Sequence, residues 1–532
     1  MLVKCYTAAL QGINAELVTV EIHATSGVDF SLVGLPDNAV KESRDRIHAA
    51  LQVNGLQPPR RSLTINMSPA DLKKEGSAYD LPLAIGTLAA TEQIHTTSLD
   101  RFLMIGELSL DGGLQPVHGV LPITLLAKQQ GFKGIILPAG NAREAAVVDG
   151  IEVFGLDCLL DVVRFLDGTL HIEPVKLNMK EEFANTAFSS DMDFSDVRGQ
   201  ENVRRAMEVA AAGGHNMIMV GPPGAGKSMM AKRLPSILPP LTLDEALETT
   251  KIHSVTGLLN QGQSLVVTRP FRAPHHTITN VALVGGGQSI PKPGEISLAH
   301  NGVLFLDELP EFHRSVLEVL RQPLEDRKIT VSRSKMSIDY PASFMLVAAM
   351  NPCPCGHYGD ATHQCTCTPA QIHRYKDKIS GPLLDRIDIQ VPIAAVSYDQ
   401  LKEMQPGESS ASIRERVVRA RQIQAERFLS DAAILTPSAQ RSLLHQAPCA
   451  GPTHCNAQMT PKQVRQFCQL DADGDRLLES AMKKYGLSAR AYDRILKVAR
   501  TIADLADSEH IQTPHIFEAI SYRQLDRDET LF

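Results

Sequence analysis

The segment that most constrains this chain is Gly221-Pro222-Pro223-Gly224-Ala225-Gly226-Lys227-Ser228, which fits G-x4-G-K-[ST] and directly follows the apolar run Met217 to Val220. A strand that ends in a glycine-rich loop and hands over to a helix is a phosphate cradle. Glycines let successive backbone N–H groups point into one concavity, Lys227 is placed to reach the β and γ oxygens of ATP, and the Ser228 hydroxyl is placed to ligate Mg2+. Met229, next in the chain, is expected to continue the nucleotide contact. Such a loop works at the C-terminal edge of a parallel sheet, so an α/β core must surround it.

The rest of an ATP site is sought downstream in that frame. Val303-Leu-Phe-Leu306 reads as a fully buried strand and ends in Asp307 and Glu308, so both carboxylates leave the sheet on the edge where the P-loop lies. Asp307 is expected to hold Mg2+ through water, and Glu308 to polarise the attacking water as general base. A further strand, Phe344 to Ala349, delivers Asn351, a neutral amide suited to orient that water as the first sensor; the competing reading is an Asn-Pro turn that merely caps the strand. Leu383-Leu-Asp-Arg386-Ile-Asp388 offers Arg386 as a finger donated to a neighbouring subunit, against the plainer reading of a salt bridge with Asp388. In the helix expected over Ser488 to Leu505, Ala491, Ile495, Val498, Ile502 and Leu505 form an apolar stripe. Arg490, or its rival Arg494, stands beside that stripe as a second sensor of the γ-phosphate. Catalysis is thus assigned to Lys227, Glu308, Asn351, Arg386 and Arg490.

At 532 residues the chain exceeds what one core can serve. Its composition, 43% apolar and 21% charged, excludes disorder and fibres, while a net charge of -7 leaves any nucleic-acid binding to local basic loops. No apolar run is long enough for a membrane span, and residues 1–18 lack a basic segment followed by an apolar one, so a cytoplasmic protein without membrane partners is expected. Residues 1–168 alternate strand and helix patterns, residues 169–194 collect acidic, Ser and Asn residues as a linker does, and residues 195–394 hold every ATP motif. Residues 395–532 turn helical, with helices expected at Ile413 to Phe428, Pro461 to Tyr485, Ser488 to Leu505 and Pro514 to Tyr522, the last capped by Thr513.

Together these motifs resemble the AAA+ branch that contains magnesium-chelatase ATPase subunits and MCM helicases, and within it the YifB, or Mg-chelatase-like, family of bacterial competence proteins. The resemblance is carried by Gly221 to Ser228, Phe271-Arg-Ala-Pro-His-His-Thr277, Pro293 to Glu308, Asn351-Pro-Cys-Pro-Cys-Gly356 and Ser380 to Asp388, and it extends over essentially the whole chain. It implies an α/β protein: a Lon-protease-like α+β N-terminal domain, an AAA+ P-loop α/β core and a C-terminal helical lid. It also implies a homo-hexameric DNA helicase that uses ATP and Mg2+, acts on single-stranded, forked or branched DNA, and promotes branch migration as transforming DNA is integrated. The alternative is a chelatase-like or chaperone-like AAA+ remodeller of a protein partner.

Within that resemblance, Asp326 to Ile338 reads as two short strands about a turn, with the DNA-contacting candidates Arg333 and Lys335 near its tip; an ordinary exposed turn is the other reading. Residues 255–297 are similar to the inserted pore loop of this branch, and His275 and His276 inside it read as polar contacts rather than metal ligands. Lys74-Glu-Gly-Ser77-Ala-Tyr-Asp80 resembles the nucleophile segment of Lon-like proteases. The lysine such an enzyme needs near Leu121 is missing, so no protease activity is expected.

Two C-x-C pairs, Cys353 with Cys355 and Cys365 with Cys367, offer four thiolates for a tetrahedral Zn2+, with His357 and His363 as substitute ligands; a loop of small buried residues is the other reading. Asp471-Ala-Asp473-Gly-Asp475 with Glu479 fails the register of a calcium loop and reads as the start of a helix.

Overall fold

The computed structural model describes residues 2–27, 29–94, 98–178, 182, 192–260, 262–287, 290–333, 336–359, 363–394, 407–433 and 455–523. The chain forms two compact units, residues 1–186 with 242–267, and residues 187–241 with 268–532. Helix Leu243–Thr256, which stands in sequence between the P-loop and the Asp307-Glu308 strand, therefore belongs to the first unit.

The first unit is built on a seven-stranded mixed sheet in the order Phe30–Val33, Ser62–Ser68, Asn14–Thr25, Leu2–Gln11, Phe102–Met104, Gly134–Pro138, Glu152–Leu156. Val18, Val20 and Ile22 enter one apolar cluster while Ala15 and Leu17 pack on another, as the two-residue period of a strand dictates. Helix Asp80–Ala90 is buried along its whole length, so it fills the core rather than covering it. Strand patterns at Leu2–Gln11, Phe30–Val33 and Glu152–Leu156 had no counterpart in the sequence reading.

Helix Leu243–Thr256 starts on a capping box of Thr242 with Glu245 and ends at Gly257, whose φ of 71° is the left-handed conformation a glycine tolerates. It packs along helix Val120–Gln129. Ser254 Oγ donates to the buried Glu144 carboxylate at 2.5 Å, and the Ser254 carbonyl accepts the Gly119 N–H at 3.1 Å.

The second unit carries a five-stranded sheet in the order Phe271–Arg272, Val303–Leu306, Met345–Met350, Met217–Val220, Ile389–Pro392, parallel at every pairing. Its three central strands are buried at every residue, which is why they read as unbroken apolar runs. Parallel register puts the C-terminal ends of these strands on one edge, where Gly221, Asp307 and Asn351 follow.

The helical region comprises Ser410–Ala433, Pro461–Phe467, Ala472–Tyr485, Ala489–Leu505 and Thr513–Ser521. The single helix expected from Pro461 to Tyr485 is two helices: Asp471 accepts the Gly474 N–H at 2.7 Å and starts the second, a capping task that competes with helix continuation. Thr513 lies inside the last helix, with Gln512 at the cap. No helix among the described residues is long and apolar enough to cross a membrane.

Candidate ATP site and candidate metal centre

The P-loop follows strand Met217–Val220, and its Gly224 and Gly226 take φ values of 77° and 85°, the left-handed conformation that glycine tolerates and that phosphate-cradling loops use. Lys227 Nζ donates to the carbonyls of Gly221 at 2.6 Å and Pro222 at 2.9 Å, and to Asn351 Oδ1 at 2.9 Å. Ser228 Oγ donates to Asp307 Oδ2 at 2.5 Å. Residues from three strand ends, far apart in sequence, thus meet in one place, and Asn351 does more than cap its strand. Burial pulls the Lys227 ammonium below its ordinary value, opposed by the charges of Asp307 and Glu308. A hydroxyl and a carboxylate oxygen side by side fit the all-oxygen donor set of Mg2+, which would be held there by Ser228 and Asp307 and would neutralise charge on the phosphates.

Glu308 adopts φ 53°, a conformation that costs a non-glycine residue about 1–2 kcal/mol and that concentrates at functional sites. Its carboxylate is exposed, with Oε2 3.4 Å from His276 Nδ1. The rings of His275 and His276 lie 4.0 Å apart, and His275 Nδ1 pairs with Thr277 at 3.0 Å, so this histidine pair makes polar contacts. His276 as a neighbour of Glu308 escaped the sequence reading; the available signal was its place just past strand Phe271–Arg272, which pairs with the strand that ends at Glu308.

The two arginine candidates stand apart from that group. Arg386, with a side chain 8% exposed, donates to Pro382 O at 2.6 Å and pairs with Glu325 at 2.5 Å, while its buried Nε has no hydrogen bond. The anticipated partner Asp388 is instead enclosed by His215 Nδ1 at 3.1 Å and by Arg494. The salt bridge offered as the plainer reading of Arg386 is therefore present, but its partner is Glu325 and not Asp388. Of the two candidates for the second sensor, Arg494 is paired with Asp388, whereas Arg490 is exposed on the first turn of helix Ala489–Leu505.

The hairpin pairs Lys328–Arg333 with Met336–Pro341, antiparallel. Arg333 is exposed, and its guanidinium lies 2.7 Å from where a Cβ on Gly286 would stand, so the end of this strand rests on the insert. Lys335 lies outside the described residues. In the first unit Ser77 Oγ donates to the Glu107 carboxylate, the fully buried Lys74 amine ends on the Pro69 carbonyl, and Leu121 is buried with its N–H on Glu144 at 2.9 Å.

Four sulfurs converge behind Asn351. Cys353, Cys355, Cys365 and Cys367 have their Sγ atoms within 4.8 Å of one another. The closest approaches are 3.3 Å for Cys353 to Cys355, 3.5 Å for Cys355 to Cys365 and 3.7 Å for Cys353 to Cys365. A disulfide would bring two of them to about 2.05 Å. Thiolates about 2.3 Å from a tetrahedral ion would sit about 3.8 Å apart, so the cluster fits a bound metal ion far better than a covalent bridge. Backbone N–H groups of His357 and Thr366 hold the Cys355 thiol well below its ordinary value. His357 and His363, the substitute ligands, stack on each other with centroids 4.9 Å apart.

Known families cover nearly all of this frame. The model described as "Magnesium chelatase, subunit ChlI" matches residues 193–401, "Subunit ChlI of Mg-chelatase" matches residues 20–141, and "Magnesium chelatase, subunit ChlI C-terminal" matches residues 407–523. The chain is 45% identical to Competence protein ComM of Haemophilus influenzae over 98% of its own length and 97% of that protein. It is 44% identical to the uncharacterized protein YifB of Escherichia coli, over 98% of this chain and 97% of the relative. Lon protease 2 of Bacillus subtilis is 30% identical over 23% of this chain and 22% of that protease. The chain belongs to the ComM/YifB family of magnesium-chelatase-like AAA+ ATPases.

Proposed function

We propose that the chain works in the cytoplasm as a homo-hexameric, Mg2+- and ATP-dependent DNA helicase that drives branch migration while transforming DNA is integrated. The observation that carries the motor reading is the convergence of Lys227, Ser228, Asp307 and Asn351 on one edge of a parallel sheet, with Glu308 beside them. Lys227 binds and orients the phosphates, Asn351 and Glu308 orient and deprotonate the attacking water, and Asp307 and Ser228 hold the Mg2+. Arg386 supplies the finger to a neighbouring subunit and Arg490 the second sensor, so each site is completed by ring assembly and lid closure. Arg333 and Lys335 furnish a cationic collar where the pore meets DNA, which the acidic total charge does not provide elsewhere. The cysteine cluster holds Zn2+. A relative bearing the name competence protein supports the biological setting.

A second reading has its own support in the family models, which carry the name of a magnesium chelatase: a remodeller whose substrate is a protein. Phosphate release and strand displacement, measured with and without forked DNA, separate the two. The helicase reading expects DNA-stimulated turnover in the wild type, none in Lys227→Ala, and basal turnover without stimulation in the double variant Arg333→Ala, Lys335→Ala. Turnover indifferent to DNA, with no displaced strand, would sink it in favour of the remodeller.

A further inference from the structure

The cysteine cluster is joined to the ATP site from two sides. Cys353 stands two residues after Asn351, on the loop that leaves strand Met345–Met350, and it is fully buried. Its carbonyl accepts the Gly356 N–H at 3.0 Å, closing a turn that contains Cys355. Gly356 has φ 85°, and a Cβ on it would lie 2.6 Å from Pro223 Cδ, so the turn rests directly on the P-loop. Four residues on from Pro223, Lys227 returns the contact by donating to Asn351 Oδ1 at 2.9 Å. P-loop, Gly356 turn, sulfur cluster and Asn351 thus form a closed circuit of contacts in which the metal position is the corner.

We propose that a divalent cation of the zinc type, held by Cys353, Cys355, Cys365 and Cys367, braces the sensor loop against the P-loop and thereby sets the rate of ATP hydrolysis without touching the nucleotide. The inference rests on the metal-binding reading above. Its physical content is positional: the ion fixes both C-x-C arms, those arms fix the turn at Gly356, and that turn fixes the separation of Pro223 from Asn351. Misplacing a reacting group by about 1 Å costs about a hundredfold in rate, so a slack corner is enough to slow the chemistry while the phosphate loop persists. Gly356 is a positioning residue in this scheme and none of the four sulfurs is catalytic.

The experiment uses the full-length protein and needs no variant for its first arm. Metal content is measured per chain, the metal is withdrawn with a chelator that is then removed, and ATP turnover in saturating Mg2+ is followed before withdrawal, after withdrawal and after Zn2+ is restored. Tetrahedral thiolate ligation is read independently from the visible absorption of the Co2+-substituted protein. The brace predicts about one ion per chain, a fall in kcat of about ten- to a hundredfold on withdrawal with a smaller change in KM for ATP, and recovery on restoration. Hydrogen exchange should quicken at residues 221–228 and 351–358 and stay unchanged in the seven-stranded sheet of the first unit. In a second arm Gly356→Ala, which leaves every ligand in place, keeps its metal and still loses turnover.

A metal-free protein that hydrolyses ATP at the full rate overturns the brace while leaving metal binding intact, as does a metal-loaded Gly356→Ala with wild-type kcat. A wild-type protein that takes up neither Zn2+ nor Co2+ overturns the metal reading itself.

Discussion

Two polar clusters of similar composition, one in each unit, show what separates a site from a structural knot. Around Asp80 in the first unit, the buried carboxylate is bonded by Arg46 Nε at 2.6 Å, Arg46 again at 2.9 Å, the Leu108 N–H at 3.1 Å and the Ser43 hydroxyl. Each lone pair faces a donor of the same unit, and the neighbouring Ser77 hydroxyl is taken by the Glu107 carboxylate rather than by the lysine that a serine nucleophile of this kind needs. Around Lys227 a cation, an amide, a hydroxyl and a carboxylate face one another across strand ends, at the mouth of a glycine-rich loop. Both clusters are bonded internally, and what differs is place: one is enclosed in a core, the other stands at the edge of a sheet.

Substitutions break the comparison most directly. Lys227→Ala and Glu308→Gln should each lower phosphate release by about a hundredfold or more while leaving thermal unfolding nearly unchanged. Ser77→Ala should leave turnover within about twofold, and a loss equal to that of Lys227→Ala would erase the distinction. Asp80→Ala should act oppositely, removing about 3–5 kcal/mol from the first unit because it strands the Arg46 guanidinium inside a saturated network. Differential scanning calorimetry of the whole chain, with phosphate release measured below the transition, reads both effects on one sample.

Legibility followed the same divide. Gly221 to Ser228, Val303 to Glu308 and Asn351 were visible because local spacing encodes them: an apolar strand and the polar residue at its end are adjacent in sequence. The four cysteines were visible for a similar reason, as two close pairs. What stayed hidden depends on contacts across long loops. The enclosure of Asp388 by His215 and Arg494 joins residues more than a hundred positions apart, and nothing in Leu383 to Asp388 announces that Arg386 turns to Glu325 instead. The edge strand Phe30–Val33 is too short for its period to stand out, and residues 242–267 were assigned by sequence neighbourhood to the motor although their packing lies with the first unit.

Acid should sharpen the contrast between the units. Burial holds the His215 imidazole below its ordinary value. For Asp388, burial alone would raise the carboxyl, but Arg494 and the His215 bond outweigh it and keep it well below the usual range. The unfolded chain takes up a proton on His215 near pH 6.5, about the free value, that the folded unit resists, and on Asp388 near pH 3.9, so the second unit loses stability as pH falls through each. Glu144 in the first unit has the opposite sign. Burial raises it despite the donors Ser254 and Leu121, so its contribution is fully present below about pH 4.3 and is lost as pH rises through its elevated folded value. Native-state hydrogen exchange at about pH 7 and about pH 5 should therefore show weakened protection at Asn216 and Thr501 and steady or stronger protection at Leu121. Parallel losses in both units would refute the opposite signs of His215 and Glu144.

The smallest expected effect probes where one unit ends. Ser254 lies between the P-loop and the Asp307-Glu308 strand in sequence, yet its hydroxyl reaches only into the first unit, donating to Glu144 at 2.5 Å. Ser254→Ala removes a donor from a carboxylate that is buried, and the Leu121 N–H at 2.9 Å and the Asn141 side chain are then left to satisfy it. Leaving a buried polar group short of a partner costs about 1–3 kcal/mol, and because protonation relieves the strain, the loss should shrink as pH is lowered. The cost should appear as faster exchange in helices Val120–Gln129 and Leu243–Thr256, with the five-stranded sheet and ATP turnover unmoved. If protection fell instead in strands Met217–Val220 and Val303–Leu306, helix Leu243–Thr256 would be energetically part of the motor that its sequence neighbours build, and the boundary between enclosed and sheet-edge polar clusters would have to be redrawn.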